Sequence, residues 1–226
     1  MFDFHMHTTF SDGKNSIEDM IATAEKLGLK TIAITDHIWR SSEWFDNYYR
    51  LIHEENKNKK VNVLIGFEAK ALSINGEIDA TQKMCSISDI RIGAIHRIPS
   101  GNILNEYLTR EDVIDDKNKA YDNWFETTKN MIKNKNVDII AHPCMALNKY
   151  TLEQDEEDIY ALFLLVQKYN KKLEITNRYK NSNNILFKVL KKYPHFLAYI
   201  SYGSDSHSAN DLIKAHNIMS PDKTTN

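Results

Sequence analysis

The chain begins MFDFHMHTTFSDG, in which His5 and His7 flank a single methionine and an aspartate follows at Asp12. In an extended strand, residues i and i+2 project from the same face, so the two imidazoles point in one direction. Neutral imidazoles aimed at one point are typical metal ligands. A His-x-His pair also occurs on polar edge strands, so further ligands must decide between a metal site and a solvated strand.

Acidic residues and histidines also lie at the ends of the later strand-like segments. They are Asp36 and His37, Glu68, His96, His142, Glu174 with Asn177 after it, and Asp205 with His207. If these groups converge, each one left buried without a partner would cost about 1–3 kcal/mol. Bound cations remove that cost, so the pattern predicts a metal site. The remaining histidines, His53, His195 and His216, are expected at the surface or at helix ends.

The elements that would position these side chains alternate along the chain. The strand-like runs are MFDFHMH, KTIAITDH, VNVLIGFE, IRIGAIH, VDIIAHP, KLEITN and FLAYISYGSDSH. Helices are predicted between them, the first with Ser16 as its N-cap and Gly28 as its stop. Alternating strands and helices predict parallel βα units, whose strands end at one mouth of a barrel. The irregular stretch 100–119 is either a lid or a surface insertion.

The composition is that of an ordinary globular protein of 226 residues with a formal net charge of −2. This charge argues against non-specific binding to nucleic acid or to an anionic membrane. No apolar run approaches the roughly 20 residues needed to span a bilayer, and no signal peptide is visible. Cys85 and Cys144 are too few for a disulfide scaffold or a cysteine-based zinc site. We therefore expect a single domain, residues 1–226, in the cytoplasm.

The motifs DFHMHTTFSDG, AITDH, GFE, GAIH, AHP and GSDSH occur in this order with βα-sized gaps. In them the chain resembles the PHP domain family, named for polymerase and histidinol phosphatase, from residue 2 to about residue 208. The resemblance implies an α/β fold, a distorted seven-stranded (β/α)7 TIM-like barrel, with three metal ions and phosphoester hydrolysis. The implied ligands are His5, His7, Glu68 and Asp205 for one metal, Glu68, His96 and His142 for a second, and Asp12, His37 and His207 for a third. Glu68, His96, Asp205 and His207 are also the expected catalytic residues.

The chemistry of the donors narrows the cofactor and the reaction. Imidazoles and carboxylates without a thiolate suit zinc, manganese or iron better than magnesium. Water activated by such ions would attack phosphorus without a serine or cysteine nucleophile. Arg97, Arg178 and Lys70 are candidates for binding the phosphate oxygens. Glu174 is expected to orient a ligand histidine or a water molecule.

The favoured function is hydrolysis of a small phosphomonoester, which is also the expected partner. Histidinol phosphate, a nucleotide and a sugar phosphate all remain open, and the GAIHR and EITNR contexts are similar to those of the histidinol-phosphatase branch. One alternative is a PHP-type nuclease or proofreading exonuclease, which would need a basic track for a polynucleotide. The other is a non-catalytic, metal-bound scaffold. Neither nucleic acid nor a membrane is an expected partner, and the oligomeric state is not predicted.

Overall fold

The computed structural model describes residues 1–57, 59–176, 178 and 180–217, with backbone only at 180–183 and 217. Asn177 and residues 218–226 of the expected domain lie outside the described residues. The strands are β1 Phe2–Asp3, β2 Thr31–Ile34, β3 His37–Ile38, β4 Asn62–Lys70, β5 Ile90–Ala94, β6 Ile139–Ala141, β7 Lys172–Ile175 and β8 Ile200–Tyr202. The helices are α1 Ile17–Lys26, α2 Phe45–Glu55, α3 Gln82–Ile87, α4 Arg110–Asp115, α5 Lys117–Lys133, α6 Met145–Asn148, α7 Glu156–Tyr169, α8 Lys180–Lys192 and α9 Ala209–Asn217.

The strands form one parallel sheet in the order β1-β2-β4-β5-β6-β7-β8, with the short β3 pairing beside β4. The segments that follow β1 and β8 bring the two edges of this sheet together. His7 N donates to Ser206 O at 2.8 Å, and Asp205 N donates to His5 O at 2.8 Å. The result is a nearly closed seven-strand barrel surrounded by helices in a single domain, which confirms the predicted fold class.

Helix α1 shows how local sequence sets an element of this barrel. The Ser16 side chain accepts from Asp19 N, and the Asp19 carboxylate accepts from Ser16 N, which together form a capping box. Gly28, at φ +72°, takes the left-handed conformation that ends the helix without steric cost. The helix buries Ile17, Met20 and Ile21 against the core. These bounds confirm the predicted helix.

Two predicted strands are shorter than the sequence pattern suggests. The first is reduced to β1, and the FLAY part of the last forms a 3-10 helix over Pro194–Tyr199 instead. Proline at the start of this segment has no N–H to donate to a strand neighbour and favours a helical first turn. The stretch 100–119 contains α4 and the start of α5, so it is less irregular than predicted.

His53 and His195 are exposed, as predicted, but His216 is not. His216 lies near the end of α9, where its Nε2 approaches Asp3 Oδ2 at 2.9 Å, and both side chains are buried. His216 therefore takes the helix-end position that the prediction also allowed, and it is buried because α9 packs back on the first strand, 213 positions away in sequence. No helix among the described residues is long and apolar enough to cross a membrane.

Candidate metal centre

Nine side chains from seven places in the chain converge at the mouth where the strands end. We call them the mouth cluster: His5, His7, Asp12, His37, Glu68, His96, His142, Asp205 and His207. Each has a nitrogen or oxygen atom within 3.3 Å of such an atom of another member. The structure therefore brings together every residue that the sequence predicts as a metal ligand.

Glu68 lies at the centre of the mouth cluster, near the end of β4. Its Oε1 lies 3.1 Å from Nε2 of both His96 and His142, while Oε2 lies 2.9 Å from His37 Nδ1. The carboxylate is 1% exposed. Burial alone would raise the pKa of Glu68, but the imidazoles of His5 and His96 hold it well below its usual range. An ionised carboxylate with both oxygens facing imidazoles can bridge two cations.

A second group forms where the segments after β1 and β8 meet. His5 Nε2 and His7 Nε2 are 3.1 Å apart, and Asp205 Oδ1 lies 3.2 Å from His7 Nε2. Burial lowers the pKa of His7 to about 4, aided by the charge of His5. His7 is therefore neutral at pH 7, which is the form of imidazole that binds metals. Burial would raise the pKa of Asp205, but His5 and the hydrogen bond from His7 hold it below its usual range.

A third group lies at the rim of the mouth. Asp12 Oδ2 is 3.1 Å from His207 Nε2 and 3.7 Å from His37 Nε2, and Asp12 Oδ1 is 3.8 Å from His7 Nδ1. The Asp12 side chain is 54% exposed, so this group opens toward solvent. Burial would raise the pKa of Asp12, but His37 and His207 lower it. His7 and His37 thus each lie near more than one candidate metal position.

Two further observations indicate that the nitrogen and oxygen donors of the mouth cluster suit divalent cations. Among the described residues, the buried Nδ1 of His7 has no hydrogen-bond partner. Burial alone would lower the pKa of His5, but the carboxylates of Glu174 and Glu68 hold it well above its usual range. This shift reports an excess of negative charge in the mouth cluster. A bound cation would neutralise that charge and use the converging imidazole lone pairs.

Glu174 lies behind the mouth cluster rather than inside it. Its Oε1 accepts from His5 Nδ1 at 2.7 Å, and its Oε2 accepts from His142 N at 2.8 Å. Because a carboxylate can only accept here, His5 keeps a proton on Nδ1 and turns Nε2 toward the mouth cluster. Gly203 packs against this pair so closely that a Cβ there would overlap Glu174 Oε1 and His5 Cβ. Glu174 therefore orients one candidate ligand, His5, and the sequence pattern alone did not show which histidine it would contact.

Asp36 is a strand-end residue that the structure separates from the mouth cluster. It is buried and accepts hydrogen bonds from Thr8 N and Thr8 Oγ1, both at 2.8 Å, and from Ser11 N and Ser11 Oγ. These bonds hold the turn that carries Asp12. The turn folds so tightly that a Cβ on Gly13 would come within 2.6 Å of the His7 backbone. Asp36 therefore positions Asp12 instead of binding a cation itself.

Two members of the mouth cluster have unusual backbones. His142 has φ 28° and Asp205 has φ 53°, in a region that side-chain-bearing residues rarely adopt. Such conformations cost about 1–3 kcal/mol each and persist where the surrounding structure holds them. The backbone N–H of His142 donates a hydrogen bond to Glu174, and the backbone N–H of Asp205 donates one to the carbonyl of His5. Their occurrence at two candidate ligands is typical of a functional site.

The predicted phosphate-binding residues differ in their positions. Arg178 lines a central cavity of about 240 Å³ over the mouth cluster, and its Nη1 donates to Asp205 O at 2.9 Å. Lys70 lines a neighbouring cavity and lies 3.5 Å from Asp79. The Arg97 guanidinium is stacked over the Tyr107 ring at 4.8 Å and lines neither cavity. These three assignments remain predictions.

The sequence reasoning missed one cation that lines the central cavity, Lys149. Its Nζ donates to His96 O at 3.0 Å. Burial lowers its pKa, with a further contribution from the charge of Arg97. Lys149 follows the short helix α6, in the loop region after β6. In the sequence, the only indication of its role is that it follows a strand that ends at the mouth. Because it lies seven positions after His142, that indication is weak.

Comparison with known proteins places this geometry in context. A profile of the PHP domain matches residues 3–178. A curated relative from Caldicellulosiruptor saccharolyticus, named "Probable phosphatase", is 30% identical over 223 residues, covering 93% of this chain and 81% of its own. The structure of HisK from Listeria monocytogenes matches 96% of this chain and 99% of its own, with TM-score 0.73 and 16% identity. The structure of a histidinol phosphate phosphatase from Lactococcus lactis was solved with zinc, L-histidinol and phosphate. It matches 96% of this chain and 92% of its own, with TM-score 0.61 and 19% identity.

Proposed function

Because the chain belongs to the PHP domain family, we propose that it is a metal-dependent phosphomonoesterase that acts on a small molecule. The observation that carries this proposal is the mouth cluster itself. Six imidazoles and three carboxylates converge there, with Glu68 within 3.1 Å of three of the imidazoles, and four of the imidazoles and all three carboxylates line the central cavity. Relatives named as phosphatases support the same reaction class.

Three divalent ions, zinc, manganese or iron, fit the donors in the mouth cluster. His5, His7, Glu68 and Asp205 would hold one, with Glu68, His96 and His142 around a second and Asp12, His37 and His207 around a third. Such ions activate water and stabilise the charge that develops on the phosphoryl oxygens. The mouth cluster contains no thiolate, which supports this choice of metals. The Lactococcus lactis structure contains zinc, which supports it as well.

The chain's own cations would bind and orient the phosphate. The guanidinium of Arg178 lies beside Asp205 and His207 and lines the central cavity, so its positive charge can attract phosphate oxygens there. The Lys149 ammonium, fixed on the carbonyl of His96, adds a second positive charge on the same cavity. His96 and His207, whose side chains are 31% and 14% exposed, lie where an incoming substrate would meet the mouth cluster.

The cavity volume favours a small substrate. The central cavity of about 240 Å³ accommodates a phosphate and a few carbon atoms, and its described lining holds two Lys or Arg side chains, Lys149 and Arg178, fewer than the row of cations that a polynucleotide backbone needs. Histidinol phosphate, a nucleotide and a sugar phosphate all remain in the proposal. L-Histidinol in the Lactococcus lactis structure supports including the first of these.

Phosphate release by the metal-loaded protein tests the proposal. The protein should be reconstituted with zinc or manganese and assayed against a panel of phosphomonoesters and a single-stranded oligonucleotide. His7→Ala should abolish turnover, whereas the exposed His53→Ala should retain it. Release of mononucleotides from the oligonucleotide, with little phosphate from monoesters, would favour the nuclease instead. Full metal occupancy without turnover of any substrate would favour a scaffold.

A further inference from the structure

A second cavity opens beside the mouth cluster, on the side of β3 and β4. It has a volume of about 210 Å³ and is lined by His37, Ile38, Trp39, Glu68, Lys70 and His96. It shares three of these with the central cavity, namely His37, Glu68 and His96. A phosphomonoester whose phosphate lies over the mouth cluster could therefore extend its organic part into this side cavity.

Trp39 is the largest side chain that lines the side cavity. It directly follows β3, so alternation along the extended chain directs it to the same side as His37, while the intervening Ile38 enters the core. The indole is 43% exposed and has no aromatic ring partner among the described residues. Part of a large flat apolar side chain thus remains uncovered two positions after His37 of the mouth cluster.

The backbone around Trp39 is held in place. Trp39 N donates to Ser42 Oγ at 3.0 Å, and Ser42 N donates back to Trp39 O at 2.9 Å. The next amide, Arg40 N, donates to Asp79 Oδ1 at 3.0 Å. Ser42 and Asp79 are themselves buried. Because this backbone is already held, a ligand that packs on Trp39 need not order the loop, which favours binding.

We propose that the Trp39 indole is a stacking surface for a planar ring on the leaving group, so that the enzyme prefers phosphomonoesters with an aromatic or heteroaromatic leaving group. This inference rests on the proposed phosphomonoesterase function. Stacking of a ring on an aromatic side chain adds attraction beyond simple burial of apolar area. The Lys70 ammonium on the same cavity lies 5.8 Å from the Tyr107 ring centroid, so this corner combines aromatic and cationic surfaces.

A larger cavity on the opposite side offers the leaving group a different place. It has a volume of about 480 Å³ and includes Lys14, Arg178, Asp211 and Lys214 in its lining. Its charged groups suit a polar or ionic leaving group, whereas the indole suits a flat apolar one. The side cavity therefore predicts a preference for a planar ring and the larger cavity predicts none, so a binding experiment can separate them.

Two phosphonates that share a CH₂–phosphonate group and carry either a planar or a saturated six-membered ring provide the test, because their C–P bonds resist phosphoester hydrolysis. Benzylphosphonate and cyclohexylmethylphosphonate should be titrated into the zinc-loaded full chain by calorimetry. We expect wild type to bind the planar compound about 2- to 10-fold more tightly. Trp39→Leu should reduce this ratio to about one, since leucine keeps apolar area without a flat face, and Trp39→Phe should keep most of it. The exposed position predicts that both variants keep the wild-type melting temperature.

Three outcomes would overturn the inference: equal affinities in wild type, a planar preference that persists in Trp39→Leu, or no binding of either phosphonate. The proposed function is tested separately by phosphate release from phenyl phosphate. A ring preference that depends on Trp39, found in a protein that hydrolyses no monoester, would contradict the proposed enzyme activity and not the stacking surface.

Discussion

Replacing Glu174 with glutamine should weaken metal binding without changing the size of the side chain. In the native protein, both carboxylate oxygens accept, one from His5 Nδ1 at 2.7 Å and one from His142 N at 2.8 Å. Glutamine offers one carbonyl oxygen and one NH₂ group, so only one donor can keep its acceptor. The other contact places N–H against N–H in a position that is 1% exposed.

The size of the effect follows from this geometry. A buried donor left without an acceptor costs about 1–3 kcal/mol. His5 could relieve the clash by moving its proton to Nε2, but that would remove the lone pair that faces the mouth cluster. In either case, metal affinity should fall about 10- to 100-fold, which corresponds to about 1.4–2.8 kcal/mol.

The assay is competition for zinc between the protein and a fluorescent chelator, with circular dichroism to show that the variant is folded. Glu18→Gln on the exposed face of α1 is a matched control and should bind zinc as wild type does. If Glu174→Gln binds zinc within twofold of wild type, Glu174 does not orient His5, and the reasoning from the two hydrogen bonds is refuted.

Three further predictions concern stability. Gly203→Ala should destabilise the protein by about 1–3 kcal/mol because its Cβ would overlap Glu174 and His5; an unchanged urea midpoint would contradict this. Zinc at a hundred times its dissociation constant should stabilise the fold by about 2.7 kcal/mol, a rise of about 5–11 °C in melting temperature by calorimetry. EDTA should reverse that rise, and His7→Ala should show a smaller one. His216→Ala should cost about 1–3 kcal/mol in urea unfolding by removing the partner of buried Asp3, whereas exposed His195→Ala should cost little.

Much of the barrel could be predicted because its signals are local. Short apolar runs such as VNVLIGFE and helical spacing such as that of Ile17, Met20 and Ile21 are visible in a few residues of sequence. The bounds of strands were predicted less well. FLAY has strand-like residues, yet Pro194 and the packing of Phe196 on Phe163 draw it into a 3-10 helix. Tertiary packing overrode local preference there.

Part of the candidate metal centre could also be predicted from the sequence, and part could not. The types and order of the histidines and acids were enough to predict which residues converge, because parallel strands all end at one mouth. Residue type and position alone did not distinguish Asp36, which positions a turn, from Asp12, which faces the imidazoles, because both are acids that follow strand-like segments. The resemblance to the PHP family favoured Asp12, and the fold shows why: the turn held by Asp36 directs Asp12 toward the mouth.

By itself the amino-acid sequence indicated the fold class, the family and the candidate ligands that converge at the mouth, because periodicity, residue type and motifs are properties of short segments. The tertiary structure alone decided that Glu174 supports His5, that His216 pairs with Asp3 and that Trp39 stands open beside the mouth cluster. These pairings join residues 169 and 213 positions apart, or depend on which surface remains uncovered. Such relations arise only when distant segments pack, and no local pattern encodes them.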